Sequence, residues 1–242
     1  MLAADRPALS VEQLAGGDRA PVLVVDFVQF TSTQPLPDEL ARHGRGHPVL
    51  RIDPVTDLAR EPAYRPLDAL ADGYAEACRR QGLAGGRIAV VGHCSAAPLA
   101  LALADRLAGA AEVSPVLVRP TWPDAAMVAA DFRSFRDELG AAAGPVPAAA
   151  DPDLALRQMT VVLHDDLRAM ARTQGLDPGS AVIADMLARY RAWLGFLLAG
   201  SAASRRAWPS GRVVDRPAGD PPPDGALAAG VLARAWPDGD HA

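Results

Sequence analysis

Short apolar runs alternate with helical patterns in the first half of the chain, and this alternation is the feature that most restricts the fold. Four short runs rich in β-branched and aliphatic residues predict buried strands, at 22–25, 49–52, 87–91 and 116–118. Helical patterns separate them, at 37–42, 67–80 and about 98–108. Because strands connected through helices form a parallel sheet with helices on both faces, the sequence predicts an α/β fold.

The pattern changes in the second half, where strand patterns vanish between 124 and 206. Three helical runs are predicted there, roughly at 124–142, 151–173 and 180–203, with Asp151 and Ser180 as suitable N-caps. The sheet is expected to resume at 211–215. A chain of 242 residues, 50% of them hydrophobic, can bury one sizeable core with an inserted cap. We therefore expect a single domain over 1–242, with a helical lid inserted at about 124–206.

Charge and hydropathy exclude several classes of function. The formal net charge of −5 argues against a nucleic-acid partner, since neutralising phosphates requires a basic face. No uninterrupted apolar stretch reaches the roughly 18 residues of a membrane span. Residues 1–20 carry no basic, apolar, small-residue leader. The expectation is a soluble cytoplasmic protein without a membrane partner, a metal site or a bound cofactor.

The chemistry concentrates in the pentapeptide Gly92-His93-Cys94-Ser95-Ala96, between a predicted strand and a predicted helix. In that context, a small-x-nucleophile-x-small sequence indicates a turn so sharp that only small side chains fit two positions away from its centre. Centring the turn on Ser95 would place His93 in one of those two positions. The spacing therefore favours Cys94 as the nucleophile, although a cysteine at a strand end is more commonly a small buried hydrophobe.

The same turn predicts how the nucleophile would be assisted. The backbone N–H of Ser95 lies at the start of the helix and is expected to point towards a developing oxyanion. The helix N-terminus also stabilises a thiolate, so a cysteine there needs less activation than a serine.

Residues 87–107 resemble the strand, G-H-S-x-G elbow and following helix of the thioesterase family of polyketide and nonribosomal-peptide pathways, with cysteine in place of serine. The helix that begins at Leu67 resembles the one preceding the elbow. Dieckmann cyclases that release tetramic acids, which carry cysteine at this position, are also similar. The resemblance runs loosely from Pro21 to His241 and implies an α/β-hydrolase fold with an inserted helical lid.

The resemblance also implies a histidine base after the last strand, often within a Gly-x-His sequence, and Gly239-Asp240-His241 matches it. His241 is the penultimate residue, whereas the family continues into a final helix. Four other histidines, His43, His47, His93 and His164, are expected to be surface or packing residues. His93 is the first alternative base.

The acid of the triad has no single candidate. Many of these thioesterases carry an aspartate directly after the strand that follows the elbow helix, and this chain has Arg119 there. The free-standing type takes its acid from the loop after the next-to-last strand, which indicates Asp220, with Asp215 and Asp224 as alternatives. A cysteine–histidine pair can also operate without a strong acid.

A second oxyanion donor is expected in the loop after the first predicted strand, and Val28 N–H is the predicted donor. The functional expectation is acyl transfer through acyl-Cys94, from a thioester presented on the phosphopantetheine of an acyl or peptidyl carrier protein. Acyl-cysteine remains a thioester, so hydrolysis, cyclisation and transfer to another acceptor all stay open. The alternatives are a hydrolase of small esters or lactones and a non-catalytic binding relative.

Overall fold

The computed structural model describes residues 8–27, 35–83, 85–203, 212–214 and 225–237. These residues cluster into two compact units. The sheet unit comprises 8–54, 67–122 and the described residues after 206. The helical unit comprises 55–66 and 123–203.

A mostly parallel sheet forms the centre of the sheet unit. Its strands among the described residues are β1 (Glu12–Ala15), β2 (Val22–Val25), β3 (Val49–Ile52), β4 (Arg87–His93), β5 (Glu112–Val118) and β6 (Arg212–Val214). Their order is β1-β3-β2-β4-β5-β6, with β1 antiparallel to β3 and all other neighbouring pairs parallel. The predicted parallel α/β sheet is confirmed.

Helices cover both faces of this sheet. The helices of the sheet unit are α1 (Leu36–His43), α3 (Leu67–Arg80), α4 (Ala97–Leu107) and α8 (Ala226–Ala235), while the short α2 (Pro54–Ala59) leads into the helical unit. Val116 and Val118 pack into a core cluster with residues of α1 and α8. Leu117, between them, packs against Ala97 and Leu101 of α4. Because neighbouring residues of a strand face opposite ways, the two helix layers lie on opposite faces.

Two elements of the sheet unit differ from the predictions. β1 is an edge strand without a β-branched pattern, and it pairs with β3 partly through the ion pair between Glu12 and Arg51. α8 follows a segment predicted only as a loop. It contains Gly230, and its N-cap is Gly225, which has no side chain to cap the helix. The sequence therefore lacks the usual signal for the start of a helix.

The helical unit contains α5 (Ala125–Glu138), α6 (Pro152–Thr173) and α7 (Ala181–Ala203). The three predicted helices are confirmed, and Asp151 caps α6 by accepting a hydrogen bond from Asp153 N–H at 3.0 Å. α5 ends at Glu138 rather than near 142, since Gly140 has a φ of 70° and stops the helix. That this segment covers Cys94 as a lid stays a prediction.

Polar contacts connect the helices of this unit. Trp193 Nε1 on α7 donates to Asp131 on α5 at 2.6 Å, and Arg136 on α5 forms an ion pair with Asp166 on α6 at 2.7 Å. Within the described residues, no helix combines the length and apolar character needed to cross a membrane.

Gly92, near the end of β4, allows the strand to approach α4 closely. A Cβ at this position would lie 2.6 Å from Ala100 Cβ and 3.0 Å from Ala97 Cα, both on α4. Those distances are too short for a methyl group, so only glycine permits this packing.

Gly92→Ala is therefore expected to lower the free energy of unfolding by about 1–3 kcal/mol, because the added methyl overpacks the β4–α4 contact. The measurement is denaturant unfolding. Gly109→Ala is the matched control, since a Cβ there has no atom within 4 Å, and it should change stability by less than about 0.5 kcal/mol. Equal stabilities of the two variants would contradict this packing role.

Candidate functional site

Cys94 occupies the turn between β4 and α4. His93 is still extended, with φ −104° and ψ 131°, Cys94–Ala96 forms one 3-10 turn, and α4 follows directly. Cys94 has a φ of 52°, in the left-handed region that costs a non-glycine residue about 1–3 kcal/mol. Such strain persists only where the surrounding structure imposes it, and here a buried strand and a packed helix hold both sides of the turn.

The thiol of Cys94 is half-buried and contacts a hydroxyl. Its Sγ lies 3.5 Å from Thr121 Oγ1, and its carbonyl accepts a hydrogen bond from Thr121 N–H at 3.1 Å. Cys78, on α3, is fully buried, and burial raises the pKa of its thiol to about 11. Both cysteines are free thiols, so the half-exposed one is the candidate for reaction.

Ser95 follows Cys94 in the 3-10 turn and is buried. The first N–H groups of a helical segment have no acceptors inside that segment, so they are available to bind an anion. The position of Ser95 agrees with the predicted oxyanion donor, and the role itself stays a prediction.

A buried carboxylate follows the strand that neighbours β4. Asp26 directly follows β2, and its side chain is 1% exposed. Its Oδ1 accepts a hydrogen bond from Phe27 N–H at 2.8 Å and lies 3.0 Å from Nδ1 of His93, while its Oδ2 accepts from Leu36 N–H at 3.1 Å. Asp26 thus connects the end of β2, the start of α1 and the residue before Cys94.

The same carboxylate holds His93, the alternative base, through Nδ1. With an ionised carboxylate, Nδ1–H donates a hydrogen bond to Asp26, and any base function would belong to Nε2. A role of His93 as base stays a prediction.

The remaining predicted triad and oxyanion residues lie outside the described residues. They are His241, Asp220, the alternatives Asp215 and Asp224, and Val28. Arg119 does directly follow β5, at the position where the resemblance implies an acid. It is exposed, its φ is 48°, and its N–H donates to the carbonyl of Val214 on β6.

Two other described histidines, His47 and His164, have a packing position and a surface position respectively. His47 is buried, stacks on Trp236 with ring centroids 4.2 Å apart, and binds the carbonyl of Ala20 through Nδ1 at 2.7 Å. His164 lies on α6 with an exposed side chain, 3.9 Å from Asp165. Their predicted roles in packing and on the surface are confirmed. In the described part of the chain, no three His, Cys, Asp or Glu side chains converge as a metal site.

Sequence analysis missed both Asp26 and Thr121. Asp26 follows the first predicted strand immediately, and Val25 pairs with Gly92, which brings Asp26 level with His93. The carboxyl ends of neighbouring parallel strands meet at one edge of a sheet, so a carboxylate there was a recognisable candidate. Thr121 lies in the loop after β5, and no local pattern there indicates a contact with Cys94.

A mostly parallel sheet with helices on both faces, and a strained cysteine between β4 and α4, define an α/β-hydrolase fold. The wild-type Vlm2 thioesterase domain is similar, at 18% sequence identity over 94% of this chain and 98% of that chain, with a TM-score of 0.52. The same domain with genetically encoded 2,3-diaminopropionic acid and a bound dodecadepsipeptide has a TM-score of 0.54, at 17% identity over the same shares.

The thioesterase domain of NocB, in a covalent complex with a fluorophosphonate nocardicin G analog, has 22% identity over 85% of this chain and 76% of that chain, with a TM-score of 0.40. No family model and no curated protein matches the sequence. The two Vlm2 structures, at 17% and 18% identity, show that this chain shares its fold with these thioesterase domains.

Iodoacetamide at about pH 8 is expected to alkylate Cys94 well before Cys78. With a pKa of about 11, the Cys78 thiol is almost entirely protonated at that pH, and it is also buried. Peptide mass mapping over time measures both sites, and Cys94→Ser should remove the fast phase. Faster labelling of Cys78 would remove Cys94 as the nucleophile.

Asp26→Asn is expected to destabilise the fold by about 1–3 kcal/mol. The two carboxylate oxygens of Asp26 together contact three partners, and an asparagine amide has only one acceptor oxygen for them. Asp151→Asn is the control, since asparagine is as good an N-cap as aspartate and should leave stability within about 0.5 kcal/mol. Denaturant unfolding distinguishes the two. Equal effects would show that Asp26 acts only as a local cap.

Proposed function

We propose that this protein is a thioesterase-type acyl-transfer enzyme whose nucleophile is Cys94. The single observation that supports this most is the backbone of Cys94, held at a φ of 52° between a buried parallel strand and a helix N-terminus. That conformation is costly, and strain of this kind clusters at functional sites. In a hydrolase fold it presents a side chain for nucleophilic attack.

The proposed substrate is an acyl or peptidyl thioester carried on the phosphopantetheine of a carrier protein. The thiolate of Cys94 attacks the carbonyl carbon and forms a carbon–sulfur bond while the carbonyl oxygen becomes an oxyanion. The Ser95 N–H and a second amide, for which Val28 is proposed, stabilise that charge. His241 is proposed to take the Cys94 thiol proton before the attack and to pass it to the pantetheine thiolate, which the intermediate expels to leave acyl-Cys94.

Release reverses this chemistry with a different nucleophile. Water, an amine or a carbon nucleophile attacks acyl-Cys94, the carbon–sulfur bond breaks, and the Cys94 thiolate is restored. His241 is proposed to accept the proton from the attacking group, with Asp220 orienting the imidazole. Since acyl-cysteine is itself a thioester, it retains enough reactivity for cyclising or transferring release as well as hydrolysis.

The comparisons support the class of substrate. Vlm2 thioesterase domains, whose structures include bound tetradepsipeptide and dodecadepsipeptide, share the fold along nearly the whole length of both chains. The resemblance to thioesterases of polyketide and nonribosomal-peptide pathways implies delivery of the substrate on a carrier, so the proposed partner is an acyl or peptidyl carrier protein. An ester or lactone hydrolase would also use Cys94 as its nucleophile but would need no carrier protein. A non-catalytic relative would not use Cys94 as a nucleophile.

Incubation with an acylated carrier protein should add the mass of one acyl group to the wild-type chain. Cys94→Ala should abolish the adduct, whereas Ser95→Ala, the adjacent hydroxyl variant, should retain it. His241→Ala should suppress acyl-enzyme formation by orders of magnitude, since proton transfer contributes about 10²–10⁴-fold. Intact-protein mass spectrometry measures all four chains.

The outcomes separate the candidate functions. Acylation from a small ester but not from the carrier indicates the hydrolase. Absence of any adduct, together with an inert Cys94, indicates the non-catalytic relative. Normal acylation of the His241→Ala chain would place the base at another residue.

A further inference from the structure

Thr121 is held against Cys94 by two separate contacts. Its N–H donates to the Cys94 carbonyl at 3.1 Å, which fixes the two backbones relative to each other. Its Oγ1 lies 3.5 Å from the Cys94 Sγ, within hydrogen-bonding distance of sulfur. Both residues belong to the sheet unit, and both side chains are half-buried.

The loop that carries Thr121 has an unusual backbone of its own. Arg119, the first residue after β5, has a φ of 48°, and its N–H donates to the carbonyl of Val214 on the neighbouring β6. Thr121, two residues after Arg119, contacts Cys94. Cys94 and Arg119 are therefore two non-glycine residues with a left-handed backbone, and they lie just after the ends of the neighbouring strands β4 and β5.

We propose that Thr121 is a catalytic residue whose hydroxyl donates a hydrogen bond to the Cys94 thiolate, an inference that rests on the proposed nucleophilic role of Cys94. In the thiol form either atom can donate. In the thiolate form the sulfur has no proton, so the Thr121 hydroxyl is the donor. Hydrogen bonds to charged groups are the strong ones, and partial burial of the pair strengthens this one further.

This hydrogen bond acts at both ends of the reaction cycle. The Cys94 sulfur is negatively charged before it attacks the substrate and again when the acyl group leaves. It is neutral in acyl-Cys94, where it is only a weak acceptor. The hydroxyl therefore favours the thiolate over the acylated form, without forming or breaking a covalent bond itself.

Stabilising a thiolate also makes it a weaker nucleophile, and this partial compensation gives the proposal a distinctive signature. Nucleophilicity falls by about 0.4–0.5 log units for each tenfold stabilisation of the thiolate. At neutral pH, the larger thiolate fraction outweighs that loss, so the hydroxyl accelerates reaction. At high pH every thiolate is already formed, so only the loss of nucleophilicity remains.

Among the described residues, the titratable and charged side chains on the adjoining segments are His93, Arg119 and Asp26. His93 precedes Cys94 on β4 and binds Asp26 at the end of β2, and Arg119 precedes Thr121 by two residues. None of them changes between the variants compared below, so their contributions cancel.

The test compares Thr121→Val, which replaces the hydroxyl with a methyl of similar size, with Thr121→Ser, which keeps the hydroxyl. At neutral pH, Thr121→Val should alkylate at Cys94 about 3- to 10-fold more slowly with iodoacetamide, and Thr121→Ser within about 2-fold of wild type. At high pH the Val variant should equal or exceed wild type. Thr160→Val, which removes a hydroxyl bonded within α6, is the control and should match wild type.

Three results would overturn the proposal: an unchanged neutral-pH rate in Thr121→Val, an equal loss in Thr121→Ser, or a loss in Thr121→Val that is constant across pH. Thermal unfolding verifies that each variant is folded, and Thr121→Ala, expected to behave as Thr121→Val does, replaces it if valine disrupts the loop. Alkylation requires no substrate. A Cys94 that never acylates therefore refutes the proposed function, whereas the alkylation series alone decides on Thr121.

Discussion

The close approach of β4 to α4 is the constraint on which the site depends. It requires the absence of a side chain at Gly92, since any Cβ there would meet Ala100 and Ala97. With strand and helix held this near, the chain has too few residues between them for an ordinary turn, and Cys94 takes the left-handed conformation. The backbone strain at Cys94 is thus a consequence of packing in the buried core, where it is stabilised by the surrounding hydrophobic contacts.

The parallel topology then determines which residues surround Cys94. β2, β4 and β5 are adjacent, and parallel strands end at the same edge of a sheet. Asp26 follows β2, His93 ends β4, and Thr121 lies in the loop after β5, so three distant segments of sequence meet around the turn at Cys94. Asp26 holds the first two segments through a buried carboxylate with three partners, and Thr121 holds the third through the Cys94 carbonyl.

The elbow and the parallel sheet were predictable from sequence because both depend on local patterns. Strand periodicity gave β2, β3, β4 and β5, and the spacing of Gly92, Cys94 and Ala96 gave the turn. β1 was not predicted because an edge strand needs no alternation of buried and exposed residues. α8 was not predicted because it has neither a capping side chain nor an uninterrupted run of helix-forming residues. Asp26 and Thr121 escaped because their roles depend on strand order, which no local pattern encodes.

If Cys94 is the nucleophile, as we propose, its acyl intermediate remains a thioester, and this widens the chemistry open to the protein. The most direct test of that claim is to locate the acyl group and identify its bond after reaction with an acylated carrier. Trypsin releases residues 88–106, which contain both Cys94 and Ser95. We expect fragmentation to place the acyl group on Cys94, and neutral hydroxylamine to remove it rapidly, as it does from thioesters. An acyl group on Ser95 that resists neutral hydroxylamine would contradict Cys94 as the nucleophile.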